Sequence, residues 1–155
     1  MLNSSLIDEK YNPFKIEVPK KTAYVIDRFG KSRIIEEGFQ DFFPFIDEIE
    51  KTVSLKEEII YPDKLEIFTL DNQKITLDYR VFYKVINPVK ALNNVYDYQG
   101  SLKSLIIIST LNVISNTKSN NISTSTIQKI RDEIEKKSKN WGIEIPQILF
   151  DDISL

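Results

Sequence analysis

The sequence contains neither cysteine nor histidine. Without cysteine, disulfide bonds, thiolate nucleophiles and cysteine-based metal sites are excluded. Without histidine, the chain lacks the commonest general base and the commonest metal ligand. A serine nucleophile of the usual kind would have no imidazole to activate it. Carboxylate pairs and lysine-assisted chemistry stay open, but the composition favours a protein that is not an enzyme.

Long hydrophobic runs are also missing. The longest purely aliphatic run covers residues 105–108, far short of the roughly 20 apolar residues that a spanning helix needs. The N-terminus carries Asp8 and Glu9 and has neither an apolar signal core nor an arginine-rich presequence. We expect no transmembrane segment and no targeting peptide in this chain, so that any membrane contact would be peripheral.

The charge is balanced, with 21 basic and 23 acidic residues and a net charge of −2. Nucleic acid is therefore not an expected partner, because phosphate binding needs a concentrated basic face. The chain of 155 residues is 41% hydrophobic and 28% charged, which suits one globular domain. We expect an extended N-terminal lead-in over residues 1–20 and a single domain over residues 21–155.

The first half of the domain carries strand signals. Apolar residues 23–26 precede a turn at Gly30, and residues 52–60 and 65–70 are further strand candidates. The clearest alternation of apolar and polar residues covers 75–85. A side-chain period of two predicts a strand with one face on a core and the other mostly in water.

Helical signals follow from Asn87-Pro88, which suits a helix start. We predict a short helix after it, a largely buried helix over residues 101–116, and a third helix whose capping box pairs Ser125 with Gln128. A last strand over residues 143–153 contains Pro146, which suggests an edge or a bulge. The order predicts an α+β fold with a mainly antiparallel sheet, two to three helices and a returning C-terminal strand.

Several consecutive stretches resemble the SPFH, or band 7, family of stomatin- and prohibitin-like proteins. Residues 24–31, Tyr-Val-Ile-Asp-Arg-Phe-Gly-Lys, resemble the opening strand and turn of the family. Gly-Phe at 38–39 and Phe-Pro-Phe-Ile-Asp at 43–47 are similar to its Gly-Leu and Phe-(Ile/Leu)-Pro-x-(Ile/Leu)-Asp segment. Residues 53–57 resemble the following strand, as it occurs in mitochondrial stomatin-like members.

The resemblance continues through the second half. Residues 69–78 are similar to the family's Thr-x-Asp-Asn segment and the strand after it, and residues 81–91 to its Tyr-(Arg/Lys)-(Val/Ile)-x-(Asp/Asn)-Pro-x-x-Ala. Trp-Gly-Ile at 141–143 and Asp-Ile at 152–153 resemble the close of the domain. Two positions depart from the pattern, Glu37 where proline is usual and Tyr79 where glycine is frequent. In order, the motifs cover the chain from about Pro19 to its end.

The resemblance implies a non-enzymatic domain that lies against a membrane, oligomerises with itself or with other stomatin- or prohibitin-like proteins, and organises membrane proteins or lipids. It implies no catalytic residues, and we expect no cofactor and no metal site. The likeness to mitochondrial members over residues 12–57 favours the mitochondrial inner membrane. The membrane proteins served cannot be named from the sequence.

Family members also carry an N-terminal membrane segment or targeting peptide and a long C-terminal coiled coil, and this sequence has neither. Two explanations stay open: a piece of a longer protein, or a reduced member that borrows anchoring and assembly from partners. We expect a chain that is monomeric or weakly associated on its own. The alternative function is a structural or adaptor subunit of a larger, mitochondrial membrane complex.

The most aromatic stretch, residues 39–46, is the candidate contact site. Its rings either dip into a membrane or bind a partner, or they plug the end of the sheet, since large apolar side chains are usually buried. Because two of them are adjacent in sequence, at least one ring points away from the other. The candidate residues are Phe39, Phe42, Phe43 and Phe45.

Overall fold

The computed structural model describes residues 12–154, which divide into two compact units, unit 1 up to Lys56 and unit 2 from Glu57. The structure is α+β, with antiparallel sheets, three α-helices and a C-terminal strand, as the sequence predicts. The predicted boundary between a lead-in and a domain at residue 20 stays a prediction. Tyr11 and the residues before it lie outside the described part.

Unit 1 consists of five short strands: β1 (Lys15–Val18), β2 (Thr22–Arg28), β3 (Lys31–Ile35), β4 (Gly38–Asp41) and β5 (Asp47–Ser54). β2 lies between β3 and β5, and β1 pairs with β4, all antiparallel. Val18, Ile26 and Ile35 form a small buried cluster. Ile16, Tyr24 and Phe42 pack against it.

Unit 2 contains the strands β6 (Glu57–Ile60), β7 (Leu65–Phe68), β8 (Lys74–Val85) and β9 (Ile143–Ser154). β8 is the central strand: β6 and β7 pair with one of its edges and β9 with the other. Every second residue of β8 from Ile75 to Val85 is buried, so the predicted alternation is confirmed. Pro146 lies on the outer strand β9 where its register against β8 shifts, so the expected edge and bulge are both present.

Three helices complete unit 2: α1 (Pro88–Asn93), α2 (Tyr98–Ser115) and α3 (Thr124–Ser138). Asn87 caps α1 by accepting a hydrogen bond from the Lys90 N–H. Leu102, Ile106 and Ile114 of α2 are buried, together with Ile130 and Ile134 of α3. No helix in the part of the chain described is long and apolar enough to cross a membrane.

Two local predictions are wrong. The candidate strand over residues 52–60 is the end of β5 and the whole of β6, separated by a turn at Leu55 and Lys56. The Leu55 N–H donates to the Lys21 carbonyl, the last contact of β5 with β2, and the Lys56 N–H donates to Ser54 Oγ, which takes the Lys56 N–H out of a ladder. The third helix begins earlier than predicted, since its N-cap is Ser123.

The capping box expected between Ser125 and Gln128 is replaced by one in which Thr126 Oγ1 accepts from the Ser123 N–H at 3.1 Å. The hydroxyl of Ser125 instead meets that of Ser123 at 2.8 Å. Serine and threonine fill four consecutive positions, 123–126. Each of them is an acceptable cap, so the sequence leaves the start of the helix ambiguous.

Candidate functional site

The turn between β2 and β3 and the turn before β5 expose apolar side chains that lie next to each other. Phe29, from the turn between β2 and β3, lines one shallow hollow with Phe45 and Ile46 from the turn before β5. Phe43 lies beside them in the chain, and its ring centroid is 5.5 Å from that of Phe14. Phe45 is 96% exposed and Phe29 80%. We call this group the aromatic tip: Phe14, Phe29, Phe43, Phe45 and Ile46.

A buried carboxylate holds the tip together. The side chain of Asp47 is fully buried and accepts two hydrogen bonds from Arg28, 2.5 Å from Nε and 2.8 Å from Nη2. Arg33 Nη2 lies 3.4 Å from Asp47 Oδ2, and the Phe43 N–H donates to the same oxygen at 2.8 Å. The Arg28 guanidinium carbon is also 4.9 Å from the centre of the Phe43 ring, within cation–π range. One ion-pair cluster thus fixes both turns.

The same contacts keep Asp47 charged. The hydrogen bonds from Arg28 lower the pKa of the Asp47 carboxyl well below its usual range, the N–H of Phe43 and the charge of Arg33 act in the same direction, and burial opposes them. The pKa of Arg28 is raised by its hydrogen bond to Asp47. A carboxylate saturated by donors is a poor proton carrier at neutral pH, so the arrangement is suited to positioning the turns.

The backbone of the turn between β2 and β3 is unusual for its sequence. Phe29 and Gly30 have φ angles of +52° and +78°, and Arg28 pairs with Lys31 across the hairpin. Two-residue hairpin turns of this kind favour asparagine or aspartate before glycine, because a left-handed backbone is costly for other residues. Here a large aromatic residue occupies the position and points its ring into solvent.

The structure separates the four predicted contact residues. Phe43 and Phe45 belong to the tip, Phe42 is half-buried against the core cluster of unit 1, and Phe39 lies in β4 opposite Glu17 of β1. The adjacent rings of Phe42 and Phe43 differ in surroundings, as the sequence led us to expect. As membrane or partner contacts, all four stay predictions.

Sequence reasoning missed three members of the tip. Phe14 lies in the predicted lead-in, and Ile46 lies in the aromatic stretch 39–46 without being one of its four candidate residues. Phe29 belongs to the motif of the first turn. A phenylalanine directly before Gly30 nevertheless indicates an exposed ring, because turns rarely bury a large side chain. A search for apolar residues at predicted turns would have found it.

One further ion pair joins two strands of unit 2. Arg80 on β8 donates to Asp151 of β9 at 2.6 Å, so that this carboxylate supports the pairing of the two strands. In residues 12–154, no three acidic side chains lie together in a way that would hold a metal ion.

The sequence matches the family described as SPFH domain / Band 7 over residues 16–155. Stomatin-like protein 2, mitochondrial, from Homo sapiens is 30% identical over 136 residues, which cover 85% of this chain and 38% of that protein. An uncharacterized protein of Schizosaccharomyces pombe is 35% identical over 136 residues, covering 81% of this chain and 37% of its own length.

The similarity extends to archaea. An uncharacterized protein of Methanothermobacter thermautotrophicus is 27% identical over 128 residues, which cover 80% of this chain and 40% of the archaeal protein. The chain therefore spans 37–40% of the length of these relatives.

Proposed function

Since this chain belongs to the SPFH domain / Band 7 family, we propose that it is a non-enzymatic scaffold that lies peripherally on a membrane. In this proposal it assembles with copies of itself or with other stomatin- or prohibitin-like proteins and organises membrane proteins or lipids. The observation that supports a membrane contact is the aromatic tip. Its most exposed rings, those of Phe29 and Phe45, belong to two turns that line one hollow.

The chemistry of the tip suits a lipid interface. Phenylalanine is among the residues that form the apolar faces of membrane-surface segments, because its ring can leave water at the boundary between headgroups and acyl chains. Lys31, two positions after Phe29, is exposed and can face anionic headgroups, whereas the charge of Arg28 is paired with Asp47. Asp27 and Glu48 are close in sequence to the same turns, so the apolar contact, more than net charge, supports the binding.

The strained turn adds independent support. A left-handed backbone costs a non-glycine residue about 1–2 kcal/mol, and asparagine tolerates it better. An exposed phenylalanine at φ +52° gains nothing from burial in the chain that would offset this cost. Strain of this kind clusters where a protein binds something, which favours a contact role for Phe29.

Flotation with phosphatidylcholine vesicles, with and without cardiolipin, tests the proposal. We expect Phe45→Ser and Phe29→Asn to weaken vesicle association about tenfold each, as loss of roughly 1.4 kcal/mol of ring burial implies. The matched control is Phe68→Ser, which removes an exposed phenylalanine from β7 of unit 2. It should bind like the unaltered chain.

Phe29→Asn also separates function from stability. Because asparagine suits the turn, this variant should unfold at an equal or higher temperature while it binds vesicles less. Equal binding by all three variants and the unaltered chain would contradict a membrane role for the tip.

Assembly and location form the second half of the proposal. A mitochondrial membrane is supported by the name of the human relative, stomatin-like protein 2, mitochondrial. Sizing by native electrophoresis after mild detergent extraction of mitochondrial and other membranes, with partners identified by mass, tests both. A large assembly of this chain or its stomatin-like relatives is expected. A single-copy place in an unrelated complex would favour the adaptor function.

A further inference from the structure

The solvent-facing side of α2 carries no charged residue. Its 18 residues include one charged side chain, Lys103, which pairs with Asp63 away from this side. Ile108 is 59% exposed and Leu111 39%. A surface helix normally presents charged and polar residues to water, as α3 does. The exposed side of α2 instead consists of small, amide or aliphatic residues: Gly100, Ser104, Ile108, Leu111, Asn112 and Ser115.

Four of these residues form a stripe with a two-fold pattern. Ser104, Ile108, Leu111 and Ser115 are separated by four, three and four positions. This spacing keeps them on one line of the helix and is that of the seam between paired helices. Read in either direction, the stripe is serine, aliphatic, aliphatic, serine.

We propose that α2 pairs antiparallel with α2 of a second copy of this chain across a two-fold axis. Reversal places Ser104 against Ser115 of the second copy, and Ile108 against Leu111 of the second copy. A two-fold contact uses one surface twice and so requires a self-complementary pattern, which this stripe has. The small serines at both ends leave room for the helix axes to approach.

The chemistry of the stripe favours a second copy over a lipid surface. Membrane-binding helix faces combine large apolar or aromatic residues with lysine and arginine on the flanks, and the stripe has neither aromatic nor basic residues. The four stripe residues are uncharged, so bringing two stripes together buries no charge of the stripe itself. One helix face buries less area than the 1,200–2,000 Å² typical of stable complexes, so the dimer is weak and depends on concentration.

The pairing rests on the proposed scaffold function and adds to it the surface through which two copies meet. It can be tested without lipid. The chain has no cysteine, so Ser104→Cys combined with Ser115→Cys introduces its only thiols. Within one helix these lie about 16 Å apart, too far for a disulfide. In the antiparallel dimer the thiol at position 104 faces the thiol at position 115 of the second copy.

Under mild oxidation, the double variant of the full chain should form a covalent dimer. Ser104→Cys alone and Ser115→Cys alone are the matched controls: in the proposed register, identical positions lie about 16 Å apart, so neither should cross-link. Adding Ile108→Asp to the double variant should abolish the cross-link. Light scattering over a concentration series should show a reversible dimer that Ile108→Asp removes, with Leu111→Asp as a second disrupting variant if Ile108→Asp unfolds the chain.

Three results would overturn the pairing: no cross-link and a monomer at every concentration, single variants that cross-link as well as the double variant, or Ile108→Asp reducing vesicle binding of a monomeric chain. The last result would assign the face to lipid. Phe45→Ser should leave the dimer unchanged. Failure of the dimer with intact vesicle binding would therefore refute the pairing and leave the membrane proposal standing.

Discussion

The two units of this chain reach stability in different ways. Unit 2 buries large side chains between a sheet and two helices, among them Leu77, Tyr79 and Ile106. Unit 1 has short strands and a small cluster around Ile26, and it exposes most of its phenylalanines. Its turns are fixed by an ion-pair cluster instead. The difference indicates that the fold of unit 2 depends mainly on its apolar core, while the turns of unit 1 depend on polar contacts.

Each unit also contains one carboxylate that ties two segments together. In unit 1, Asp47 accepts from Arg28 and from the backbone of the turn before β5. In unit 2, Asp71 accepts from the N–H and hydroxyl of Ser119 and from Thr69 Oγ1, at 2.8, 2.6 and 2.6 Å. The first carboxylate is buried and the second exposed.

The core of unit 2 is where substitution should cost most. Leu102→Ala opens a cavity in a fully buried site and should lower the free energy of unfolding by about 3–5 kcal/mol. Ile26→Ala should cost about 2–3 kcal/mol, because partly exposed neighbours can close around it. Denaturant unfolding measures both.

Hydrogen exchange by segment sharpens the same comparison. Loss of protection should concentrate in residues 57–154 for Leu102→Ala and in residues 12–56 for Ile26→Ala, since each unit is compact by itself. Equal loss over both ranges in both variants would show that the units open together and would break the comparison.

Gly142 should be the next most sensitive position. Its φ is +67°, and a Cβ there would lie 2.4 Å from the Asn87 carbonyl oxygen. Its own carbonyl accepts from the N–H groups of Ile86 and Asn87, which joins the start of β9 to the start of α1. Gly142→Ala should therefore cost about 2–3 kcal/mol through strain and displaced backbone. Gly100→Ala is a different case, because the close atoms there belong to the side chain of Asp97, the N-cap of α2, which accepts from the Gly100 N–H.

Much of this fold could be predicted because the local sequence signals agree with the tertiary contacts that the chain forms. The alternation along β8, the Asn87 cap and the end of the last helical segment at Gly142 are each decided by neighbouring residues. The end of β5 depends on its pairing with β2, whose last contact is the hydrogen bond from Leu55 to Lys21, 34 positions away in the chain, and periodicity cannot report such a contact. The family motifs lie in order along the same chain, and the family model matches residues 16–155.

The candidate site could be predicted only in part. Composition drew attention to residues 39–46, but the contrast between Phe42 and Phe43 depends on the turn that Asp47 fixes. That the exposed Phe29 and Phe45 line one hollow depends on the pairing of β5 with β2, a contact between distant parts of the sequence.

Asp47→Asn and Asp71→Asn compare the two carboxylates directly. All the donors around Asp47 are N–H groups, so an amide would bring its own N–H against them without an acceptor. Around Asp71, the hydroxyls of Thr69 and Ser119 can rotate to accept. At neutral pH we therefore expect a larger fall in Tm for Asp47→Asn. A larger fall for Asp71→Asn would contradict the ranking.

The carboxylates of Asp47 and Asp71 also predict how the stability of the chain responds to acid. The pKa of Asp47 is lowered by hydrogen bonds from Arg28, and that of Asp71 by those from Ser119 and Thr69. Because both folded-state pKa values lie below the ordinary value of about 4, the folded chain binds these protons less tightly than the unfolded chain. The stability they contribute is present above pH 4 and is lost as the pH falls below it. Thermal unfolding from pH 7 to pH 2 should show a shallower acid loss in Asp47→Asn.

Tyr79→Phe should have the smallest effect and tests how far polar contacts matter in unit 2. The Tyr79 hydroxyl lies 3.2 Å from Thr110 Oγ1, and the ring stacks on Phe150 with centroids 5.3 Å apart. Thr110 keeps its hydrogen bond to the Ile106 carbonyl without the tyrosine. Removing only the hydroxyl should therefore cost about 0.5–1.5 kcal/mol, measured by denaturant unfolding, whereas Tyr79→Ala should cost several times more. If Tyr79→Phe cost as much as Leu102→Ala, the core of unit 2 would depend on a buried hydrogen bond, and the contrast with the polar cluster of unit 1 would fail.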